Sequence, residues 1–444
     1  MGRHKKKCQP HRYQGTDWIA VKLPTDEEPW LQGNKQSLRK RRSNCASSRQ
    51  ELVKLLERDQ WIWPKRPVYF FGDPHADTDA MLASLVASGG IKKTGPEDNA
   101  FKLTKAGHKA HFIIGGDCFD KGPGNLRLLR MLKHLKNQEV SLRILAGNHD
   151  MRTLLGMQVV GHKRKLRNEH FFVRMGVKVI PLLKEINDEY LTGKHALKQI
   201  PGARECRRQL YPSKRWFDDF PRLAGSVMSP RGVELEMMRF RNKAESFDAQ
   251  CEAAGLSLRQ VYAAALKWQD LFLKPKGEFA WFFRSLRLVQ RKGSFLFVHA
   301  GLDDRIADAI SKQGVHHLNR QFREHLFGDP FAFYYGPVAN SIRTKYREVD
   351  RPLSRHGATV AHSSGIHAIV HGHRNLYHGQ RVSLRKGMIH FECDTTMDRN
   401  TRKKEGLPGI GAGVTIFQPE KLILGISNDY PSIKIFNPES LLME

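Results

Sequence analysis

Five short stretches of this sequence contain side chains that bind metal ions or move protons. They are GDPH (72–75), GDCFD (116–120), GNHD (147–150), VHAG (298–301) and HGH (371–373). Carboxylates, imidazoles and one amide are hard or borderline ligands, and this mixture suits Mn, Fe or Zn better than a soft copper site. A carboxylate between two ions can bridge them, and Asp117 is the best candidate for that position. Two such ions bind the oxygens of a phosphate and turn a bridging water into hydroxide for in-line attack on phosphorus.

Each of these stretches ends a short apolar run, which predicts a buried strand whose carboxyl end presents polar side chains. Between the first strands lie two helical patterns. One runs through AMLASLVAS (80–88) with Asp77 or Thr78 as its cap, and the other is NLRLLRMLKHLKN (125–137). Strands alternating with helices, with functional groups at the carboxyl ends of the strands, are typical of an α/β fold.

The positive charge of the chain lies mostly outside these stretches. The formal net charge is +29, of which residues 1–66 carry about +9 and residues 151–293 about +14. We therefore divide the chain into five segments. They are a basic N-terminal extension (1–66), the first half of a catalytic core (67–154), a basic helical insert (155–293), the second half of the core (294–430) and a C-terminal tail (431–444).

Several classes of protein are excluded by the sequence. No run approaches the 18 apolar residues that a membrane span needs, so we expect no membrane association. The N-terminal MGRHKKKCQP has no apolar stretch after it, so we expect no export. The six cysteines are scattered singly, which is typical of reduced thiols and predicts a cytoplasmic protein.

In this order the five motifs resemble the calcineurin-like metallophosphoesterase superfamily. The nearest pattern is that of the phosphoprotein phosphatase and diadenosine-tetraphosphatase branch, whose signature is GDxHG, GDxxDRG, GNHE, a histidine before a small residue, and a late GH. The resemblance covers roughly 67–150 and 294–430. It implies a four-layer α/β/β/α metallophosphoesterase sandwich, here with a large helical insert that forms a cap, and two metal ions (Mn, Fe or Zn).

The resemblance also assigns roles to particular residues. Asp73, His75 and Asp117 would hold the first metal ion. Asp117, Asn148, His299 and His373 would hold the second. His149 would act as general acid beside the leaving oxygen, and Asp120 would hold its imidazole in the right tautomer.

The chain departs from the family signature at three positions. Lys121 stands where a phosphate-binding arginine is expected, and lysine keeps the charge but loses the bidentate fork. Asp150 replaces the glutamate of GNHE and Ala76 the last glycine of GDxHG, as in bacterial relatives of the branch. Lys121 therefore remains a candidate for substrate binding. Arg343 and Arg347 are further candidates for a phosphate clamp by their position between the last two motifs, although they are equally explained as solvated arginines.

The last motif has two interpretations. Read as GHxx, it makes His373 the ligand. Read as GHxH, it would make both His371 and His373 ligands, but Val370 then replaces an expected glycine. We favour His373, with His371 as a neighbouring or packing histidine.

Three functions of different class remain open. The first is a phosphomonoesterase, similar to protein phosphatases, acting on a phosphoprotein or a small phosphoester. The second is a nuclease or a nucleotide phosphodiesterase or pyrophosphatase, whose basic cap would bind nucleic acid or nucleotides. The third is a non-catalytic binding protein with a relic site. The nuclease branch usually shows a full GHxH, which Asn375 breaks, so the sequence favours the first.

Overall fold

The computed structural model describes residues 11–30, 45–342 and 353–443. Within these ranges the chain forms fifteen strands. They are β1 (Asp26–Pro29), β2 (Val68–Phe71), β3 (Ile91–Lys93), β4 (Phe101–Leu103), β5 (His111–Ile114), β6 (Ser141–Leu145), β7 (Leu286–Arg287), β8 (Val289–Lys292), β9 (Phe295–Val298), β10 (Ala368–His371), β11 (Arg381–Arg385), β12 (Met388–Glu392), β13 (Gly413–Phe417), β14 (Ile423–Ser427) and β15 (Ser432–Phe436).

The helices of the described ranges fall mainly between the strands and in the region 148–285. They are α1 (Cys45–Arg58), α2 (Thr78–Ala87), α3 (Lys105–Lys109), α4 (Asn125–Asn137), α5 (Asn148–Met157), α6 (Phe171–Arg174), α7 (Ile180–Tyr190), α8 (Ala203–Leu210), α9 (Lys214–Ala224), α10 (Pro230–Ala253), α11 (Leu258–Phe272), α12 (Trp281–Ser285), α13 (Asp304–Leu326), α14 (Pro330–Tyr335), α15 (Arg355–Ser363), α16 (Arg399–Lys404) and α17 (Pro438–Met443).

The strands form two large sheets. The first has the order β1-β15-β14-β13-β2-β5-β6-β7, and the second has the order β11-β12-β10-β9-β8. Strands β2, β5 and β6 run parallel, as do β9, β10 and β12. These central strands are apolar at nearly every position because parallel strands are covered on both faces.

The two sheets pack face to face, and helices cover their outer faces. Phe70 and Ile113 of the first sheet share one apolar cluster with Phe297 and Val370 of the second. On the outer sides, the opposite faces of the same sheets belong to a second cluster that includes side chains of α2, α4, α13 and α15. The four-layer α/β/β/α sandwich predicted from the sequence is confirmed.

The first helices begin and end where the sequence indicates. Asp77 caps α2 by accepting a hydrogen bond from the backbone N–H of Ala80 at 3.2 Å, and α2 ends before Gly89, whose φ is 67°. The helix predicted over 125–137 is α4. These helices fill the connections between parallel strands, which need a crossover of this kind.

The segment predicted as a helical insert, 155–293, consists mostly of helices α6 to α12. Its apolar side chains join the same cluster as those of the core, for example Phe172 and Trp268 with Phe112. The last residues of this segment form strands instead, because β7 continues the first sheet beside β6 and β8 pairs with β9. The insert is therefore continuous with the core.

Both ends of the described chain also contribute to the sandwich. β1, in the N-terminal extension, pairs in parallel with β15, which lies in the predicted tail. Trp61 and Trp63 pack their rings on Phe295, with centroids 5.5 and 5.1 Å away. In the described ranges, no helix combines the length and the apolar character needed to cross a bilayer.

Candidate metal centre

The predicted ligands meet at one edge of the sandwich. Asp73 follows β2, Asp117 follows β5 and Asn148 follows β6 in the first sheet. His299 follows β9 and His373 follows β10 in the second sheet. Since all five strands end at this edge, side chains that are far apart in sequence come together there.

Four of these residues form a compact group. Asp73, Asp117, His299 and His373 each place one ligand atom within 4.8 Å of the others. His299 Nε2 lies 3.0 Å from His373 Nδ1 and 3.6 Å from Asp117 Oδ2. His299 Nδ1 donates to the carbonyl of Gly115 at 2.8 Å, which leaves the lone pair on Nε2 directed at the group.

The group has the chemistry of a cation site. Oδ2 of Asp73 accepts the backbone N–H of His373 at 3.0 Å, whereas its Oδ1 is buried without a hydrogen-bond partner in the described chain. Burial, with the nearby carboxylates of Asp394 and Asp117, raises the pKa of Asp73 well above its ordinary value. Converging carboxylates and imidazole lone pairs are stabilised by a positive ion, so these residues fit the metal that the sequence predicts.

The remaining predicted ligands lie around this group. His75 Nε2 is 3.9 Å from Oδ2 of both Asp73 and Asp117, and Asn148 Oδ1 is 3.2 Å from His299 Nε2. His371 has a different position. It lies inside β10, its Nδ1 is 3.0 Å from the carbonyl of Gly372, and its ring packs against His390. The geometry thus brings His373, and not His371, into the group.

His149 and Asp120 form the pair that the resemblance implies. His149 Nδ1 lies 2.7 Å from Asp120 Oδ2, and its Nε2 lies 3.9 Å from Asp117 Oδ2. Burial raises the pKa of Asp120 to about 6. Burial, followed by the charge of Arg152, lowers the pKa of His149 well below its ordinary value. The carboxylate fixes the orientation of a buried imidazole whose second nitrogen faces the metal group.

Asp150 connects two of the ligand loops. Its Oδ1 accepts the backbone N–H groups of Cys118 and Phe119 at 2.8 and 3.3 Å. Its Oδ2 accepts those of Asp117 and Gly147 at 2.9 and 3.0 Å. The sequence marks Asp150 only as a departure from the family signature, but the structure shows it holding the loop that carries Asp117.

The backbone of the ligand loops is left-handed at several residues that are not glycine. These residues and their φ angles are His75 (41°), Ala76 (54°), Asp117 (53°), Asp120 (68°), Lys121 (67°) and His373 (66°). Side chains with a Cβ rarely adopt this conformation, because Cβ approaches the following carbonyl. Strained backbone is therefore concentrated at the metal group, which is where such strain occurs in functional sites.

Of the candidate substrate-binding residues, the structure describes the position of Lys121 alone. Lys121 Nζ lies 2.6 Å from His75 Nε2, so its charge is at the metal group. Arg343 and Arg347 lie outside the residues that the structure describes.

Three residues near the group were not singled out from the sequence. Asp394 follows β12, is buried, and has an Oδ2 without a hydrogen-bond partner in the described chain. The run MIHFE before it is one more apolar strand ending in an acid, a signal that could have identified it. Arg152 and Lys178 act on the pKa of His149 through their charge, and no motif marks them.

The geometry of the metal group agrees with a comparison of the sequence with models of protein families. Residues 66–239 match the family model described as calcineurin-like phosphoesterase. No curated protein matches the sequence at a significant level.

The solved structures to which this chain is similar include several phosphatases. A cold-active protein tyrosine phosphatase is 14% identical over 85% of this chain and 80% of that chain, with a TM-score of 0.46. Another structure of a cold-active protein-tyrosine phosphatase, from a psychrophilic Shewanella species, is 12% identical over 83% and 80%, with a TM-score of 0.41. A protein serine/threonine phosphatase from Saccharomyces cerevisiae is 13% identical over 88% of each chain, with a TM-score of 0.36. At these TM-scores the likenesses carry no argument about substrate.

Proposed function

We propose that this chain, a phosphoester hydrolase by its calcineurin-like phosphoesterase domain, cleaves phosphate monoesters with the help of two metal ions (Mn, Fe or Zn). Its substrates would be phosphoproteins or small phosphoesters of the cytoplasm. The observation that supports this most directly is the group of Asp73, Asp117, His299 and His373, whose ligand atoms lie within 4.8 Å of one another.

The residues have distinct roles in this proposal. Asp73, His75 and Asp117 would hold one ion, and Asp117, Asn148, His299 and His373 the other. Two bound ions supply Lewis-acid stabilisation of the phosphoryl oxygens and an activated water. Lys121, whose Nζ lies 2.6 Å from His75 Nε2, would add a positive charge that helps to neutralise the phosphoryl group.

His149 would move the proton that the leaving group needs. Its Nδ1 is engaged by Asp120 at 2.7 Å, so only Nε2 is free to face the substrate. Burial, followed by the charge of Arg152, lowers its pKa and so disfavours the protonated ring, and a role as general acid therefore depends on Asp120. Asp120 favours the imidazolium, which offsets part of the cost of burying a charge.

The test compares para-nitrophenyl phosphate with its bis ester in the presence of Mn. We expect wild type to hydrolyse the monoester preferentially and Asp117→Asn to lose at least 100-fold in kcat/KM. The matched control is Asp188→Asn, since Asp188 is an exposed acid that pairs only with Lys184 and Asn187 among the described residues. Preference for the bis ester would instead support a phosphodiesterase. Absence of turnover with both esters would refute catalysis of this kind.

A further inference from the structure

A second group of metal-binding side chains lies at the other end of strand β10 from the metal centre. Asp59, His362 and His367 each place one ligand atom within 4.8 Å of the others, the second such group among the residues that the structure describes. His367 immediately precedes β10, whereas His373 follows it. The four residues of β10 alone span roughly 13 Å, so this group cannot share an ion with the metal centre.

The group lies where the N-terminal extension meets the second sheet. Asp59 directly follows α1 of the extension, and His362 lies in the last turn of α15. The backbone N–H of His367 donates to the carbonyl of Ser294 at 2.9 Å, and the N–H of Ser294 donates to the carbonyl of Ile62 at 2.8 Å. Backbone hydrogen bonds thus fix the segment after Asp59 beside the strands that precede and follow His367.

The spacing of the three ligand atoms matches a tetrahedral zinc ion. His362 Nδ1 lies 3.1 Å from His367 Nδ1 and 3.2 Å from Asp59 Oδ2. His367 Nδ1 lies 3.6 Å from the same oxygen. Zinc holds imidazole nitrogens and carboxylate oxygens at about 2.0–2.2 Å, which places two ligands of a tetrahedron about 3.4 Å apart. The three side chains are 7 to 10% exposed, so water can reach the group and complete the coordination.

The hydrogen bonds direct two acceptors at one another within this group. His362 Nε2 donates to the carbonyl of Gly387 at 2.9 Å, so in the neutral ring Nδ1 carries a lone pair. Burial lowers the pKa of both His362 and His367, even with the carboxylate of Asp59 beside them, so both rings are neutral near pH 7. A proton on His367 can satisfy His362, but the contact between His362 and Asp59 still joins two acceptors. A cation between them stabilises this arrangement.

Arg58 already binds the carboxylate of Asp59. Its Nε lies 3.0 Å from Oδ1 and its Nη2 lies 2.8 Å from Oδ2. An ionised carboxylate offers about four lone-pair positions, so Oδ2 can accept from Arg58 and also bind an ion. The side chain of Arg58 is 52% exposed, so it can also turn into solvent when an ion binds. The ion pair therefore leaves Asp59 available as a ligand.

We propose that Asp59, His362 and His367 form a zinc site, separate from the metal centre, that joins the N-terminal extension to the second sheet. Two imidazoles and a carboxylate are ligands that zinc takes in proteins, and water would be the fourth ligand. The site shares no residue with the metal centre, so it is independent of the proposed phosphomonoesterase function.

The zinc content of the full chain tests this site. The protein is stripped with EDTA, reconstituted with zinc and desalted, and its zinc is measured by mass spectrometry. His362→Gln and His367→Gln should each retain one ion per chain less than wild type. The matched control is His356→Gln, since His356 is exposed on the same helix α15, and it should retain as much zinc as wild type. The same difference should appear when each protein also carries Asp117→Asn, so a failure of the metal centre does not mask the second site.

Anomalous diffraction tests the site without a variant. Crystals of wild type soaked in zinc should show an anomalous peak at the zinc edge between Nδ1 of His362 and Nδ1 of His367, at a place distinct from the metal centre. Absence of this peak, or equal zinc content in wild type and both variants, overturns the site and shows that a proton joins the two rings instead. A peak at the second site with none at the metal centre would support the inference and contradict the proposed function alone.

Discussion

Asp150→Asn tests whether one carboxylate holds the loop that carries Asp117. The two oxygens of Asp150 accept four buried backbone N–H groups between 2.8 and 3.3 Å. Asparagine has the same shape but only one acceptor oxygen, and its amide nitrogen is itself a donor. At best two of the four N–H groups keep a partner, and the other two face another donor.

The magnitude follows from the two groups left unsatisfied. Each buried donor without a partner costs about 1–3 kcal/mol, so Asp150→Asn should lower the free energy of unfolding by about 2–6 kcal/mol. Burial and the neighbouring Asp117 raise the pKa of Asp150, which limits how much its negative charge contributes. The loss should therefore come mainly from the missing acceptor, and Asp150→Glu should recover part of it.

Urea unfolding in EDTA measures this cost without a contribution from metal binding. The matched control is Asp188→Asn, which changes an exposed carboxylate and should cost less than about 0.5 kcal/mol. Mn affinity, measured separately, should also fall in Asp150→Asn. In this variant the loop before α5 is no longer joined through hydrogen bonds of residue 150 to the loop that carries Asp117. A loss of less than about 1 kcal/mol in EDTA would refute the role assigned to these four hydrogen bonds.

Three other perturbations have defined outcomes. Asp120→Asn removes a charge-assisted hydrogen bond to His149 that is worth about 1.5–3 kcal/mol, so kcat for para-nitrophenyl phosphate should fall roughly 10- to 150-fold with little change in Mn affinity. Burial lowers the pKa of His371 to about 3, so the unfolded chain takes up its proton first as pH falls below about 6.5. The free energy of unfolding should therefore decline from there towards pH 3. In His371→Asn this decline, measured by urea unfolding in EDTA, should be less steep than in wild type by up to about 1.4 kcal/mol per pH unit. Arg402 is fully buried and makes two hydrogen bonds to Asp429, at 2.6 and 2.8 Å. Arg402→Met should therefore lower the free energy of unfolding by about 3–5 kcal/mol in the same assay. An unchanged urea midpoint would contradict this.

The structure brings Asp73, Asp117, His299 and His373 together because each follows an apolar strand, and their role as metal ligands stays a prediction. Asp73, Asp117 and His299 are recognisable from local pattern alone, and parallel strands must bring them to one edge. The His149–Asp120 pair depends instead on the resemblance, since nothing local indicates that the two side chains meet.

Other parts of the site depend on long-range packing. Asp394 lies near the metal group because β12, the strand before it, is next to β10. The sequence does not specify this strand order. Lys178 comes from a short 3-10 helix in the insert, whose position is set by its contacts with α10. The insert itself is mostly helical as predicted, but β7 is only two residues long and too short to give a periodic signal.

Because the backbone around the metal group is left-handed, catalytic activity should depend on the stability of the whole fold. Ala76, with φ of 54°, occupies the position where the family signature has glycine. It is fully buried, and its N–H donates to the carbonyl of Cys118 at 3.0 Å. Such a residue stays in place only while the surrounding layers remain packed. Anything that loosens the sandwich, such as heat or a distant core substitution, should therefore relax these loops first, and catalytic activity should disappear at a lower temperature than secondary structure.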